Sequence, residues 1–212
     1  MNIFAVHEDP QIAGASLPDK LVVKMPTESI QLLTPWVFNT FDIKIEKPDS
    51  SGHLNLLESE KLYYGTKGFA HHPCAKWLYE SPSNVHWLLE HAYGMNQEYF
   101  ERYNKYHGTL HGLSQIRTVV YRNFSRACSK DHTPFVQAMP EQYKNPADPI
   151  QAYRDYLLGE KGYAEWRHGG TPTWWDHEKH KPARNRYLAE QEAKRLKRQN
   201  DKFATMQRLR MV

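Results

Sequence analysis

The chain has 212 residues, of which 40% are apolar and 25% charged, and its formal net charge at pH 7 is +4. This length suits one domain with a tail, and it lets the protein bury a core without disulfides. No apolar run approaches a membrane span and the first residues lack a signal-peptide pattern, so we expect a soluble, cytoplasmic protein with no membrane partner. The two cysteines, Cys74 and Cys128, fit reduced core thiols better than a disulfide framework.

The positive charge is concentrated at the C-terminal end. Residues 178–212 contain 11 Lys and Arg against 4 Asp and Glu, whereas residues 1–177 contain 17 against 20. This surplus favours a polyanionic partner for the tail, nucleic acid before membrane, although a solvated helix face or a protein partner explains it too. We therefore expect a body at 1–177 and a basic helical tail at 178–212.

The hydrophobic pattern predicts a mainly α-helical fold: a compact single domain with a short N-terminal strand or hairpin and a long basic C-terminal helix. The strand is expected at Asn2 to Val6. A helix opening near Asp19 follows, which Pro26 either kinks or begins, and it should end near Pro35. Residues 36–68 alternate apolar and polar positions around a turn sequence, as in a hairpin or an insertion.

Further helices are expected in the second half of the chain. Ser83 can cap a helix that runs to about Tyr106 and carries a broad apolar stripe, so this helix should be central. Other helical patterns cover residues 108–126, 149–158 and 183–210.

Glu28 stands where a core residue is expected. Positions 21, 25, 28 and 32 fall on one helix face, so Glu28 shares a stripe with Leu21, Met25 and Leu32. A carboxyl group held among apolar side chains keeps its proton more readily, which is one sign of a general acid. The alternatives are a helix-capping glutamate or a surface pair with Lys24.

The sequence His71-His72-Pro73-Cys74 invites a metal-site interpretation, but a second ligand pair is missing. The nearest candidates, His107 and His111, bring no cysteine. We therefore expect no metal, and we expect His71 and His72 to form a polar edge of the core or a loop that touches a nucleotide. No Walker loop, dinucleotide fingerprint or nucleophile elbow occurs, so no cofactor is expected.

Aromatic residues stand beside basic or polar ones late in the chain, in Trp166-Arg167-His168 and in Thr171 to Trp175. This combination suits stacking on nucleic-acid bases with phosphate contacts. Two adjacent tryptophans are also typical of residues that seal a core.

These features together resemble a known family. Regular structure is predicted almost from the first residue, and Glu28 lies nine residues after Asp19, where a helix is predicted to begin. A long central helix and the late sequence Pro172-Thr173-Trp174-Trp175 follow. This arrangement resembles the phage pyrimidine-dimer DNA glycosylases and AP lyases of the endonuclease V type, over about residues 1 to 175 with gaps. Gln151-Ala152-Tyr153-Arg154 looks like the stretch that supplies a basic DNA contact in that family.

The resemblance implies a DNA-repair enzyme that acts on DNA, with duplex DNA as its partner. In the family, the free α-amine attacks C1′ of the damaged nucleotide and a helix glutamate manages protons at the sugar. Met1 and Glu28 would then be the catalytic residues. We expect the substrate to be bound by Asn2, Lys20, Lys24, Thr27, His71, His72, Arg154 and Trp174.

The chain also departs from the family pattern. It begins Met1-Asn2 where the family exposes a small hydroxyl residue, and Thr27 and Ile30 or nearby groups stand where basic residues flank the glutamate in the family. Two alternatives therefore stay open. One is a related phage enzyme acting on modified bases or nucleotides without an amine nucleophile, and the other is a non-catalytic nucleic-acid-binding or protein-binding protein that uses the basic tail.

Overall fold

The computed structural model describes residues 2–41, 54–57, 60–62, 69, 71–124 and 130–210. The described helices are α1 (Pro10–Ala15), α2 (Asp19–Phe41), α3 (Pro73–Leu78), α4 (Pro82–Tyr103), α5 (Leu110–Asn123), α6 (Pro149–Glu160) and α7 (His177–Arg210). A 3-10 turn spans Glu141–Tyr143, and β1 (Leu54–Leu57) pairs antiparallel with β2 (Glu60–Leu62). The predicted mainly helical class is confirmed.

Helix α4 is the centre of the core, as the sequence predicted, and it contacts α1, α2, α3 and α5. Its N-cap is Ser81, not Ser83, because the Ser81 side chain accepts a hydrogen bond from the Ser83 amide at 3.1 Å. The helix ends at Asn104, whose φ of 50° is the left-handed conformation common at helix C-termini. Among the described residues, no helix is both long and apolar enough to cross a bilayer.

Helix α2 continues beyond the predicted end at Pro35 and stops only at Phe41. Most of its second half is buried, including Ile30, Leu33 and Val37, so tertiary packing outweighs the local cost of a helical proline. Trp36 and Phe41 lie edge to face with ring centroids 5.7 Å apart, which holds the last turn in place.

The predicted N-terminal strand at Asn2 to Val6 is wrong. These five residues are buried but irregular, and Phe4 has a φ of 41°, which a strand does not allow. Side chains hold the segment instead: the Asn2 amide donates to the Ala138 carbonyl at 2.9 Å, and the Phe4 ring stacks on Tyr156. Because residues on both sides of the chain are buried here, the segment lacks the apolar-polar alternation of a half-buried strand.

The other expected elements differ mainly in their limits. Helices α5, α6 and α7 correspond to the patterns at 108–126, 149–158 and 183–210. Within residues 36–68 the structure describes helix up to residue 41 and the β1–β2 pair, while the turn sequence at 48–52 lies outside the described residues. Cys74 is a buried free thiol, and Cys128 also lies outside the described residues.

Candidate active site

Glu28 lies on α2 between the core and the surface. Its side chain is 13% exposed, and its Oε1 is 2.8 Å from the Nζ of Lys24 one turn earlier. The apolar neighbours of its stripe, Leu21, Met25 and Leu32, are all buried, as predicted. The surface pair with Lys24, one of the alternatives drawn from the sequence, is therefore present, and it coexists with extensive burial of the carboxylate.

The N-terminus of α3 lies within electrostatic reach of Glu28. His72 caps this helix through Nδ1, which accepts a hydrogen bond from the Cys74 amide at 3.1 Å. Burial lowers the pKa of His72, while the charge of Glu28 acts in the opposite direction. Because Nδ1 is an acceptor, the neutral ring carries its proton on Nε2 and can donate there.

Cys74 is a buried thiol near Glu28. Burial raises its pKa to about 12, and hydrogen bonding from the Ile3 backbone opposes this only in part. A thiol with such a pKa stays protonated at neutral pH and is a poor nucleophile. The contact with Ile3 also places the first residues of the chain beside the residues that feel the charge of Glu28.

Arg154 and Trp174 form a second group at the other end of the N-terminal segment. The Arg154 Nε donates to the Val6 carbonyl at 3.0 Å, and its guanidinium lies over the Trp174 ring, 5.6 Å from the centroid. Trp175 is buried against Trp166, so it does seal the core, but Trp174 is only partly buried. Its buried Nε1 has no hydrogen-bond partner among the described residues.

Lys20 points toward α7. Its Nζ donates to the Tyr187 hydroxyl at 2.8 Å and lies over the rings of Tyr163 and Tyr187. Burial raises the pKa of Tyr163 to about 12, and the charge of Glu28 adds to the effect. Tyr163 therefore connects the surroundings of Glu28 with those of Lys20.

The remaining predicted site residues are not brought into one group. Thr27 is partly buried beside Glu28 on α2, and His71 is exposed in the turn before α3. Asn2 is buried and anchored to Ala138, while Met1 lies outside the described residues. Within the described part of the chain, no group of three or more His, Cys, Asp or Glu side chains could hold a metal ion.

Sequence reasoning missed the tyrosines around this region. Tyr153 and Tyr156 are one turn apart on α6 and pack against Phe4, and Tyr163 follows that helix. Their spacing of three residues in a helical pattern was visible in the sequence. What was not visible is that the N-terminal segment, rather than another helix, covers them.

One comparison with known proteins gives a family. The family model described as pyrimidine dimer DNA glycosylase matches residues 1–109, and the chain belongs to this family. The matched part contains Glu28, Lys24 and His72, whereas Arg154, Trp174 and α7 lie beyond it. A search of curated proteins and a search of solved structures each gave no match.

Proposed function

We propose that this protein is a DNA glycosylase that removes damaged pyrimidines from duplex DNA, with the Met1 amine as nucleophile and Glu28 as general acid and base. One observation carries the proposal: Glu28 is a largely buried carboxylate in the family-matched part of the chain, and its charge acts on Cys74, which contacts the backbone of buried Ile3.

The choice of nucleophile follows from what surrounds Glu28. Cys74 is protonated at neutral pH, and His72 is engaged through Nδ1 in capping α3. The amine of residue 1 is one peptide from buried Asn2, and consecutive Cα atoms are about 3.8 Å apart. An ordinary α-amino pKa of about 7.7 to 8.0 leaves roughly a fifth to a third of this amine neutral at pH 7.4.

The proposed reaction proceeds in two stages. The amine lone pair forms a bond to C1′ as the C1′–N bond breaks, and the base leaves with the electron pair and takes up a proton. Opening of the sugar ring gives an imine, and loss of a proton from C2′ then expels the 3′ phosphate by β-elimination. In this proposal Glu28 supplies and accepts the protons at the sugar.

Two cations of the predicted site, Lys24 and Arg154, are the groups that we propose contact phosphates of the bound duplex. Lys24 is exposed and pairs with Glu28, while Arg154 is held by its bond to Val6. Trp174, beneath Arg154, offers a partly exposed ring on which a base can stack.

The test is reductive trapping. Duplex oligonucleotides that carry a thymine dimer or an abasic site are incubated with the protein in the presence of borohydride, and the adduct is mapped by peptide mass spectrometry. We expect a covalent adduct on the N-terminal peptide, and none with a chain whose α-amine has been acetylated. An adduct that maps to Lys24 or Lys20 would contradict the assignment of the nucleophile.

A second candidate uses the same carboxylate without an amine nucleophile. The observation that favours it is the neutral His72 near Glu28, whose Nε2–H can serve as a proton donor to a leaving base. Release of a modified base without any trapped adduct would support this candidate. Binding without base release would favour a non-catalytic binding protein.

A further inference from the structure

The body of the protein, residues 1–177, has no net positive charge, which is unusual for a DNA-binding enzyme. Residues 1–177 carry 17 basic and 20 acidic residues, so this part alone has a formal charge of −3. Neutralisation of phosphates supplies most of the sequence-independent affinity of proteins for DNA. A glycosylase with this body needs another source of positive charge.

Helix α7 carries a surplus of positive charge, and its charged residues are not distributed uniformly around the helix. At about 100° per residue, one face is formed by residues that follow each other at steps of three or four: Arg184, Tyr187, Gln191, Arg195, Arg198 and Lys202. We call this set the basic face. The three acidic residues of the exposed part of α7, Glu190, Glu192 and Asp201, lie outside it.

The basic face begins on the body, close to the candidate active site. Arg184 and Tyr187 line a surface cavity together with Lys20, and this cavity also includes Tyr163, which feels the charge of Glu28. Arg184 donates to the Gly162 carbonyl and pairs with Glu165, so the first turns of α7 are fixed to the body. The cationic groups therefore continue from Lys24 and Lys20 onto the basic face.

Beyond Tyr187 the basic face is open to solvent. Gln191, Arg195, Arg198 and Lys202 are exposed, and Arg195 pairs with Glu192 on its own helix. Arg198 and Lys202 have no carboxylate partner among the described residues. Exposed cations without internal partners can exchange their counterions for phosphates at low cost.

We propose that the basic face of α7 binds the phosphate backbone of duplex DNA beside the damaged nucleotide, and that it supplies a large part of the affinity of the enzyme for DNA. The proposal rests on the proposed function, because the cationic groups that lead onto the basic face begin at Lys24, which pairs with Glu28. It adds a DNA-binding element that lies wholly outside the family-matched residues 1–109.

The test compares two variants with the same loss of charge on the same helix. In the first, Arg198→Gln and Lys202→Gln remove two cations from the basic face. In the control, Arg186→Gln and Lys197→Gln remove two cations from another side of the helix. Around the helix axis these two residues lie, on average, about 120° or more from Arg198 and Lys202. Because Arg186 donates to the Gly159 carbonyl, thermal melting of both variants is measured first.

Binding to an undamaged duplex is then measured between 50 and 300 mM salt. For the first variant we expect the slope of log K against log salt to flatten by about 1.8, and affinity at 0.1 M salt to fall roughly tenfold or more. The control should lose clearly less. Equal losses in both variants would overturn the face assignment, because α7 would then act only through its total charge.

A competing use of α7 is self-association through its exposed apolar residues Leu196, Phe203 and Met206. Unchanged DNA binding in the first variant, together with a dimer in sedimentation that Phe203→Gln abolishes, would replace the proposal. Reductive trapping on a short abasic duplex at saturating concentration tests the proposed catalytic function separately from the role of the basic face. If trapping is absent in every variant while the salt slopes differ as expected, the proposed catalytic function is wrong and the role of the basic face stands.

Discussion

Glu28 combines an ion pair with the catalytic position that we propose for it. Its pair with exposed Lys24 contributes little stability, since pairs of this kind on a helix surface are typically worth about 0.3 to 0.5 kcal/mol. Its burial beside Leu21, Met25 and Leu32 carries a cost of desolvating the carboxylate that an apolar residue at this position would not have. We therefore expect the residue to be kept for chemistry.

Glu28→Gln should keep the fold and lose turnover. The substitution retains the shape of the side chain and removes the group that can exchange a proton, so we expect kcat on a damaged duplex to fall by about 10²- to 10⁴-fold. Affinity for undamaged DNA should change little. Single-turnover kinetics measure this, with Glu101→Gln on exposed α4 surface as the control. Full activity in Glu28→Gln would show that Glu28 on α2 has no catalytic role.

His91 makes stability depend on pH. It is fully buried on α4 and stacked on Trp87, and neither ring nitrogen has a partner among the described residues. Burial lowers its pKa to about 3, below its value near 6.5 in the unfolded chain. Between these values the unfolded state binds a proton that the folded state does not, so stability is lost as the pH falls below about 6.5.

His91→Phe should reduce this acid sensitivity. Phe keeps the stack on Trp87 and cannot be protonated, so the loss of stability between pH 7 and pH 5 should shrink by up to about 2 kcal/mol. Urea unfolding at the two pH values measures it. Some dependence will remain, since burial also lowers the pKa of His86, His107 and His180. An unchanged difference between the two pH values would show that His91 is not the main titrating group.

At the scale of elements, the crossing of α1 and α4 depends on two glycines. A Cβ on Gly94 would lie 2.7 Å from the Gln11 backbone, and a Cβ on Gly14 would lie 2.6 Å from the His91 carbonyl oxygen. Neither backbone can move without separating the helices. The two glycines therefore set how closely α1 approaches the central helix.

Gly94→Ala tests this crossing. In an exposed helix the change would stabilise by up to about 1 kcal/mol, but here we expect a loss of about 1 to 3 kcal/mol because the new methyl group meets backbone. Thermal melting gives the sign directly. Gly108→Ala is the control, since a Cβ there meets nothing within 4 Å. A Gly94→Ala protein that melts at or above the wild-type temperature would contradict the close-packed crossing.

Helix positions could be predicted from the sequence because apolar residues recur at helical spacing in α4, α5 and α6, and those three helices lie where the pattern placed them. Two predictions failed for the same reason. The end of α2 at Pro35 and the strand at Asn2 to Val6 were argued from local preference, while the structure is decided there by contacts with distant residues. The Asn2 side chain reaches Ala138 across 136 positions, which no local pattern can indicate.

In the candidate site, too, local sequence patterns could be predicted and contacts between distant residues could not. Glu28 could be found because one charged residue interrupts an apolar stripe, and Arg154 and Trp174 could be named from short motifs. Their arrangement could not, since it depends on contacts of the N-terminal segment with α3 and α6 and on Phe4 adopting a φ of 41°. The contacts of Lys20 with Tyr187 also need α7 folded back onto the body.

Helix α7 is packed on the body of the molecule at its N-terminal end and is exposed to solvent after Tyr187. Ala183 is buried, Arg184 bonds to Gly162 and Glu165, and Tyr187 contacts Lys20, whereas residues 188–206 are exposed. The boundary predicted at residue 178 remains a prediction. The contacts argue that the body needs α7 as far as Tyr187.

Two truncated chains test where the body ends. A chain ending at Glu190 keeps every contact of α7 with the body described above, so we expect its melting temperature to stay within about 2 °C of the full chain. A chain ending at Pro182 loses the burial of Ala183, the bonds of Arg184 and the contact with Lys20. Together these should cost about 2 to 4 kcal/mol, or roughly 5 to 12 °C for a body of this size. Both chains lack the exposed basic face, so both should bind DNA weakly, but only the longer one should retain normal stability. Equal melting temperatures for the two would show that α7 is a tail from its first turn.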